Sequence, residues 1–333
     1  MSAPKTTTHL EILRLLRDRQ GCFVSGTALA QRVAISRPGV WKHINRLKQM
    51  GYEIESRSGL GYMLVAVPDS LAPGEIVSNL TTRWLAHNYH HLETIGSTND
   101  YALILAAKGA PNGALVVAEQ QTKGRGRLQR EWMSSPSRGI YLSLLLKDPL
   151  PVSVAPQSSY IGALALVKML REQFAVPATI KWPNDVLING RKVAGILTEM
   201  QSDQDFSRFC VVGIGINVNH SREEMAGPFR YPATSIALET GCAVKRQTVL
   251  LEFLSRFEHE YERFLDLGLL ALLPEIEKYT EMMGKTITVV CGNREIIGEA
   301  HGISSEGALL LMREDGSQES VWAGDVVRIE GAL

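Results

Sequence analysis

The stretch TKGRGRLQR, residues 122–130, carries four cations and two glycines in nine positions. Glycine lets backbone approach a ligand and turn its N–H groups inward. Arginine adds a planar fork of donors matched to carboxylate and phosphate. Gly124, Arg125, Gly126 and Arg127 therefore have the chemistry of an anion cradle, although RG-rich segments also serve as flexible RNA-binding arms. The chain contains no GxxxxGK[ST], so this is not a Walker-type phosphate loop. Three segments downstream offer compatible chemistry. KWPND, residues 181–185, ends in Asp185, which can hold Mg2+, orient a lysine, or simply serve the turn. RKVAGI, residues 191–196, puts Lys192 on an apolar strand, where a buried ammonium needs an anion unless it snorkels to the hairpin edge. GIGIN, residues 213–217, thins a strand with Gly213 and Gly215. It also supplies Asn217, an amide able to bond a ribose or base; close strand packing would use the same glycines.

Such groups converge only if a sheet presents them. Between residues 76 and 270 the pattern alternates strand and helix. Ser97-Thr98-Asn99 precedes a helical stretch, 100–108. LVVAEQ (115–120) and GIYLSLLL (139–146) read as strands, with a long helix over 156–174. ATIKW (178–182) is a strand ending at Pro183. VLINGRKVAGILTEM reads as a hairpin, since Asn189-Gly190 suits a type I′ turn. SRFCVVGIGINV (207–218) is a long apolar strand, and 248–267 an amphipathic helix. The expectation is an α+β chain whose central domain has a sheet of mixed strand direction. From 284 onward five short strands separated by glycine turns suggest a small SH3-like β-barrel.

The first 65 residues differ. They hold ten Lys/Arg and four Asp/Glu, a net +6, whereas the other 268 hold 25 and 31, a net −6. Leu10, Ile12, Leu13, Leu15 and Leu16 form an apolar helical stripe. Ser25 and Ser36 are placed to cap two further helices, with Pro38 in the first turn of the last one and Gly51 beyond its end. That helix exposes Arg37, Trp41, Lys42, His43, Arg46 and Lys48. A glycine-tipped hairpin, YEIESRSGLGYMLV, follows. Helix spacing, charge and hairpin together predict a winged helix-turn-helix that meets DNA. The alternative is a basic helix whose charged face is merely solvated. The predicted organisation is a DNA-binding domain at 1–65, a linker at 66–75 (AVPDSLAPGE), a central domain at 76–283 and a small β domain at 284–333.

Whole-chain composition excludes several classes. The 333 residues carry 35 basic and 35 acidic side chains and are 45% hydrophobic, ordinary for a globular protein. No apolar run reaches the ~20 residues needed to span a bilayer, so no membrane partner is expected. The N-terminal stretch mixes charges into its apolar residues, unlike a signal peptide. Cys22, Cys210, Cys242 and Cys291 are scattered, which argues against a disulfide framework or zinc site and for a reducing, cytoplasmic setting. His87, His90 and His91 lack further donors for a metal and read as surface residues.

STN, QTKGRGR, KWPND, RKVAGIL and GIGINVN, in this order, resemble the biotin–protein ligases, and the basic head resembles that of the bifunctional ligase and biotin-operon repressor form. The likeness spans essentially the whole chain. It implies a central α/β ligase domain that joins biotin to ATP as biotinyl-5′-adenylate and then acylates a lysine of the biotin carboxyl carrier protein of acetyl-CoA carboxylase. By this resemblance Ser97, Thr98 and Gln121 hold the ureido ring of biotin, Asn99 is a further biotin-binding residue, and Gly195 and Gly213 line the pocket. Gly124, Arg125 and Arg127 fold over valerate and phosphate. Arg130 meets pyrophosphate or the adenylate phosphate, Trp132 stacks on adenine, and Asn217 contacts the nucleotide. Lys192, with Arg127 and Asp185, is assigned to catalysis; Lys192 bridges the biotin carboxylate and α-phosphate. Asp185 assists Mg2+ or orients the carrier lysine. The segment 220–241 is the nucleotide-side loop. The arginine loop orders on ligand binding, because empty it would repel itself. Arg37, Trp41, Lys42, His43 and Arg46 contact operator DNA, and a homodimer forms on adenylate binding through the sheet edge near GILTEM, a surface also used by the carrier. Two rivals share parts of this pattern: a ligand-sensing regulator without ligase activity, and a lipoate ligase-like acyl-adenylate transferase.

Overall fold

The structure, a computed structural model, describes residues 8–19, 21–203, 205–227 and 231–330. Residues 228–230 of the expected nucleotide-side loop lie outside the described residues. Two compact units result, Met1–Ser70 and Leu71–Leu333.

In the first unit, helices α1 (Thr8–Arg17), α2 (Gly26–Arg32) and α3 (Arg37–Gln49) precede a hairpin of β1 (Glu53–Arg57) and β2 (Gly61–Ala66). Ser25 Oγ accepts from Ala28 N at 3.1 Å and Ser36 Oγ from Gly39 N at 3.2 Å, caps that each stabilise by about 1 kcal/mol. Ile12, Leu13, Leu16, Leu29, Val40, Ile44 and Leu47 form its core. One helical stripe from each helix is thereby removed from water, which is what their spacing requires. Arg37, Trp41, Lys42 and Arg46 remain exposed on α3, Trp41 by 61%. His43 does not join that face fully. Its ring is half-buried and stacked on His9, centroids 6.3 Å apart.

The second unit begins inside its own core. Leu71 is fully buried and Pro73–Ile76 forms a helical turn, α4, so the second half of the segment expected as linker is folded chain. Then follow β3 (Tyr89–Ile95), α5 (Thr98–Ala107), β4 (Ala114–Gln121), β5 (Gly139–Leu146), α6 (Ser158–Phe174), β6 (Ala178–Lys181), β7 (Asp185–Ile188), β8 (Arg191–Asp203) and β9 (Phe206–Asn217). The sheet order is β3-β4-β5-β9-β8-β7-β6. Among the described residues only β3 and β4 of its strands pair in parallel; the other neighbours are antiparallel, so the sheet is mixed as expected. Three more helices, α7 (Ile236–Thr240), α8 (Arg246–Leu267) and α9 (Leu273–Lys278), complete the α elements.

The central strands are apolar on both faces because both are covered. On β4, Ala114 and Val116 meet the α5 side, whereas Leu115 and Val117 face the core built with α6 and α8. The Asn189-Gly190 turn has φ of 50° and 72°, the type I′ geometry its sequence predicts. The C-terminal strands β10 (Thr286–Cys291), β11 (Arg294–Ile303), β12 (Leu309–Met312), β13 (Gln318–Val321) and β14 (Asp325–Ile329) form an antiparallel sheet, β13-β12-β11-β10-β14. Among the described residues its edge strands β13 and β14 do not pair with each other, so the expected SH3-like β-barrel is an open sheet here. Its apolar face, including Ile287, Val289 and Leu309, is continuous with the main core.

Candidate active site

A cleft of about 600 Å³ opens where β8 and β9 meet the start of α5 and the arginine loop, within the range of small-molecule sites. Ser97, Thr98, Asn99, Gln121, Arg125, Arg127, Arg130, Trp132, Asp185, Lys192, Gly195, Gly213 and Asn217 all line it. Of the expected site residues in this unit only Gly124 does not. A side chain there would crowd Trp132 O at 2.6 Å and Ser134 Oγ at 2.8 Å, so this glycine permits the loop to fold on itself.

One end of the cleft is neutral and buried. Thr98 N donates to Gln121 Oε1 at 2.8 Å, and Thr98 Oγ1 lies 3.1 Å from the same oxygen, its proton free to go to Ser143 Oγ. Gln121 Nε2 donates to Ser134 Oγ at 3.2 Å. Ser143 Oγ, wholly buried, lies 2.8 Å from Thr98 Oγ1 and 2.5 Å from Asn99 Oδ1. Ser97 occupies the N-cap position of α5 without capping it through its side chain. Asn99 lies flat against Gly213, where any Cβ would overlap its carboxamide, and Gly215 likewise admits the indole of Trp132. Both glycines are needed for close approach across the sheet.

The other end is ionic. Lys192 Nζ sits 2.7 Å from Asp185 Oδ1 and 5.2 Å from the Trp132 ring centroid, with its side chain 26% exposed. It does not snorkel to the hairpin edge. Strict alternation would put Lys192 and Gly195 on opposite faces. The β7–β8 register slips between Val186 and Leu187, leaving Val193 as an extra residue on β8, and this bulge brings both to the cleft. Asn184 clasps Ile196 through bonds of 2.6 and 2.9 Å, which fixes the KWPND turn against β8. Asn217 Nδ2 donates to Thr234 O at 3.0 Å, tying β9 to the segment that precedes α7.

The arginine loop is a tight hairpin: Trp132 N bonds Gly124 O at 2.9 Å and Gly126 N bonds Arg130 O at 2.7 Å. Two of its cations have acidic partners within the protein, which offset part of the mutual repulsion expected of them. Arg125 makes a two-pronged ion pair with Asp100 on α5, one contact at 2.8 Å, and lies 3.5 Å from Glu199 on β8. Arg130 pairs with Asp325 of β14 at 2.5 Å, and Arg127 donates to Gly324 O at 3.2 Å. Arg125 is therefore occupied by protein carboxylates rather than aimed freely at the cleft. Its hydrogen bonds hold the Asp100 carboxyl below its ordinary value, and those that Arg130 donates to the Asp325 carboxylate push Arg130 up.

Asp100, Ser143, Glu199 and Asp325 are the site residues that the sequence reading missed. Glu199 had a signal, since alternation along β8 puts it on the same face as Gly195; Asp325 had none, lying 195 positions from its partner. His87, His90 and His91 bind Thr82 O, Asn88 Oδ1 and Glu119 Oε1 at 2.9, 2.8 and 3.3 Å. His91 is not a surface residue: its side chain is 10% exposed.

The biotin/lipoate A/B protein ligase family model matches residues 92–217, an HTH domain model residues 8–63, and the biotin protein ligase C-terminal domain model residues 283–328. The bifunctional ligase/repressor BirA of Bacillus spizizenii is 35% identical over 97% of this chain and 99% of its own length. BirA of Escherichia coli is 30% identical over 98% of each. The biotin protein ligase of Aquifex aeolicus, solved in complex with biotin and ATP, superposes with a TM-score of 0.62 at 30% identity, covering 72% of this chain and 97% of that one. A head, a cleft and a tail that each match a family model, in a chain that relatives match over nearly its full length, leave one assignment: this chain belongs to the bifunctional ligase/repressor branch of the biotin–protein ligase family.

Proposed function

We propose that the cleft activates biotin on ATP and delivers it to a lysine of a carboxyl carrier protein, and that the basic head carries the biotin-responsive repressor activity. The observation that carries this reading is one cleft with a neutral, hydrogen-bonded floor at one end and Lys192, Arg127 and Asp185 at the other. Biotin offers a ureido ring, matched to Ser97, Thr98 and Gln121, and a carboxylate, matched to the cations. In the first step a carboxylate oxygen attacks the α-phosphorus of ATP, the bond to the β-phosphate breaks, and pyrophosphate leaves. Two anionic reactants repel each other, so cations held in fixed positions between them lower the barrier. Lys192 bridges carboxylate and α-phosphate. Arg127 and Arg130 cover the phosphates, while Trp132 and Asn217 take the nucleotide. In the second step the carrier lysine's neutral amine attacks the acyl carbon, the acyl–oxygen bond breaks, and AMP leaves. Asp185 orients that amine and takes its proton.

Among the described residues no group of three or more His, Cys, Asp or Glu is arranged to hold a metal. Asp185 is a carboxylate suited to Mg2+, and the remaining ligands would be phosphate oxygens and water, the usual manner of Mg2+ on nucleotides. Such an ion would supply charge neutralisation.

Arg37, Trp41, Lys42 and Arg46 on α3, with His43 in part, are placed to enter a major groove. The dimer is supported by a free edge: among the described residues no strand pairs with the outer side of β8 beyond Gly195. That stretch contains the last five residues of GILTEM, so a second copy and a docking carrier compete for it. No helix is long and apolar enough to cross a membrane among the described residues, and the cytoplasm is the proposed setting. The test is incubation with labelled biotin, ATP and a carrier domain. Transfer of label to the carrier is expected. A protein that binds biotin and operator DNA but transfers no label would be a sensor instead.

A further inference from the structure

Behind the neutral floor of the cleft, bonded to a floor residue and not itself lining the cleft, lies a carboxylate that the reaction does not call for. Glu199 Oε2 accepts from Asn99 Nδ2 at 2.6 Å, while Glu199 Oε1 faces Arg125 Nη2 at 3.5 Å. Asn99 is 4% exposed and Ser143 fully buried, so neither has water to correct a wrong orientation. A carboxylate only accepts, which forces the Asn99 amide nitrogen toward it. The carbonyl Oδ1 must then face Ser143, whose hydroxyl donates to it at 2.5 Å. Gln121 is oriented independently, because Thr98 N, a pure donor, bonds its Oε1 at 2.8 Å. Leu197 O also accepts from Asn99 Nδ2, at 3.3 Å, longer and uncharged.

The same carboxylate reaches the loop. Arg125 lies between Asp100 and Glu199, so Glu199 holds a floor amide with one oxygen and draws the loop's first arginine with the other. The bonds continue from Asn99 through Ser143, Thr98, Gln121 and Ser134, whose Oγ donates to Trp132 O at 3.2 Å. The chain thus leaves the loop at Arg125 and rejoins it at Trp132.

We infer that Glu199 is a positioning residue for biotin: it fixes the donor–acceptor polarity of the pocket floor through Asn99 and couples that floor to the closed arginine loop. This rests on the biotin-ligase reading of the cleft. Glu199 touches no reacting atom, so its loss weakens ground-state binding of one substrate and leaves the chemical step intact.

The experiment is biotin- and ATP-dependent pyrophosphate exchange on the full chain with Glu199→Ala and Glu199→Gln. Glu199→Ala removes both bonds and raises the KM for biotin about tenfold or more, the effect of losing a hydrogen bond to a charged group. Glu199→Gln retains an acceptor for Asn99 but loses the attraction for Arg125, so its increase is smaller. Both keep kcat at saturating biotin, and the KM for ATP, within about threefold. Equal biotin KM values in wild type and both variants overturn the inference. So does a loss of kcat with both KM values shifting together, which marks general damage. Those outcomes, with an active wild type, leave the ligase reading standing; a wild type without biotin-dependent exchange removes both.

Discussion

At the floor of the cleft, Thr98, Asn99 and Ser143 are at most 4% exposed and hydrogen-bonded to one another. At its mouth, the side chains of Arg125, Lys192 and Arg130 are 22%, 26% and 41% exposed, each against a carboxylate. The floor is a buried neutral network, high in cost if left half-satisfied and little affected by salt. The mouth is a set of ion pairs in contact with water, individually weak and screened. Floor geometry can be set once, at folding. Under the proposed function the mouth would exchange protein carboxylates for ligand anions and back during each turnover, and weak pairs permit that.

Removing a cation that acts on the reacting atoms should have the largest effect. Lys192→Ala is expected to lower kcat for pyrophosphate exchange by about 10²–10³, the range for losing one charge-stabilising donor. The biotin KM should change far less. A variant with near-normal kcat would remove Lys192 from the chemistry.

The floor should respond in the opposite way. In Gly213→Ala the new methyl overlaps the Asn99 carboxamide, and Asn99 has no slack because its partners are fixed. We expect the biotin KM to rise by about 10–100-fold, corresponding to the ~1–3 kcal/mol usual for overpacking, with kcat at saturation little changed. If kcat falls instead while biotin binding by titration is unaltered, floor and mouth are not separable as argued.

The mouth's outer latch should matter less and should depend on salt. Asp325→Asn weakens the hold of the C-terminal sheet on Arg130. An exposed pair contributes only about 0.2–1 kcal/mol, so a rise of up to about fivefold in the KM for ATP is expected. That difference should shrink as KCl is raised. A salt-independent difference would mean that Asp325 acts through packing.

The floor and the mouth also differ in how far the sequence discloses them. STN, KWPND and GIGIN name residues that do line the cleft, because their types carry the chemistry locally. The helical stripe of α3, both serine caps and the Asn189-Gly190 turn follow from spacing and backbone preference. What could not be read is long-range. The bulge at Val193 decides which face Lys192 takes, and a one-residue slip leaves no compositional mark. The loop's acidic partners come from α5, β8 and β14, so the counter-charges of Arg125 and Arg130, two of its four cations, could not be read from the local sequence. His43 falls on the charged side of α3 by periodicity, yet the neighbouring α1 offers His9 as a stacking partner and turns it partly inward.

The smallest expected effect concerns pH and tests whether the mouth stays charged through the working range. The bidentate bond from Arg125 holds the Asp100 carboxyl below its ordinary value of 3.8. A depressed folded-state pKa means that the pair is fully present above that ordinary value. It is lost only as pH falls through the lowered one. Between about pH 5.5 and 8 Asp100 should therefore contribute no pH dependence of its own. Asp100→Asn, which cannot form the ion pair at any pH, should raise the biotin KM by a modest factor of about two to five, and that factor should be constant across the window. A ratio that falls toward one as pH drops to 5.5 would show the wild-type carboxyl already taking up a proton there. Arg125 would then be only loosely held, and the mouth would be nearer to the open, mobile loop that its sequence alone suggests.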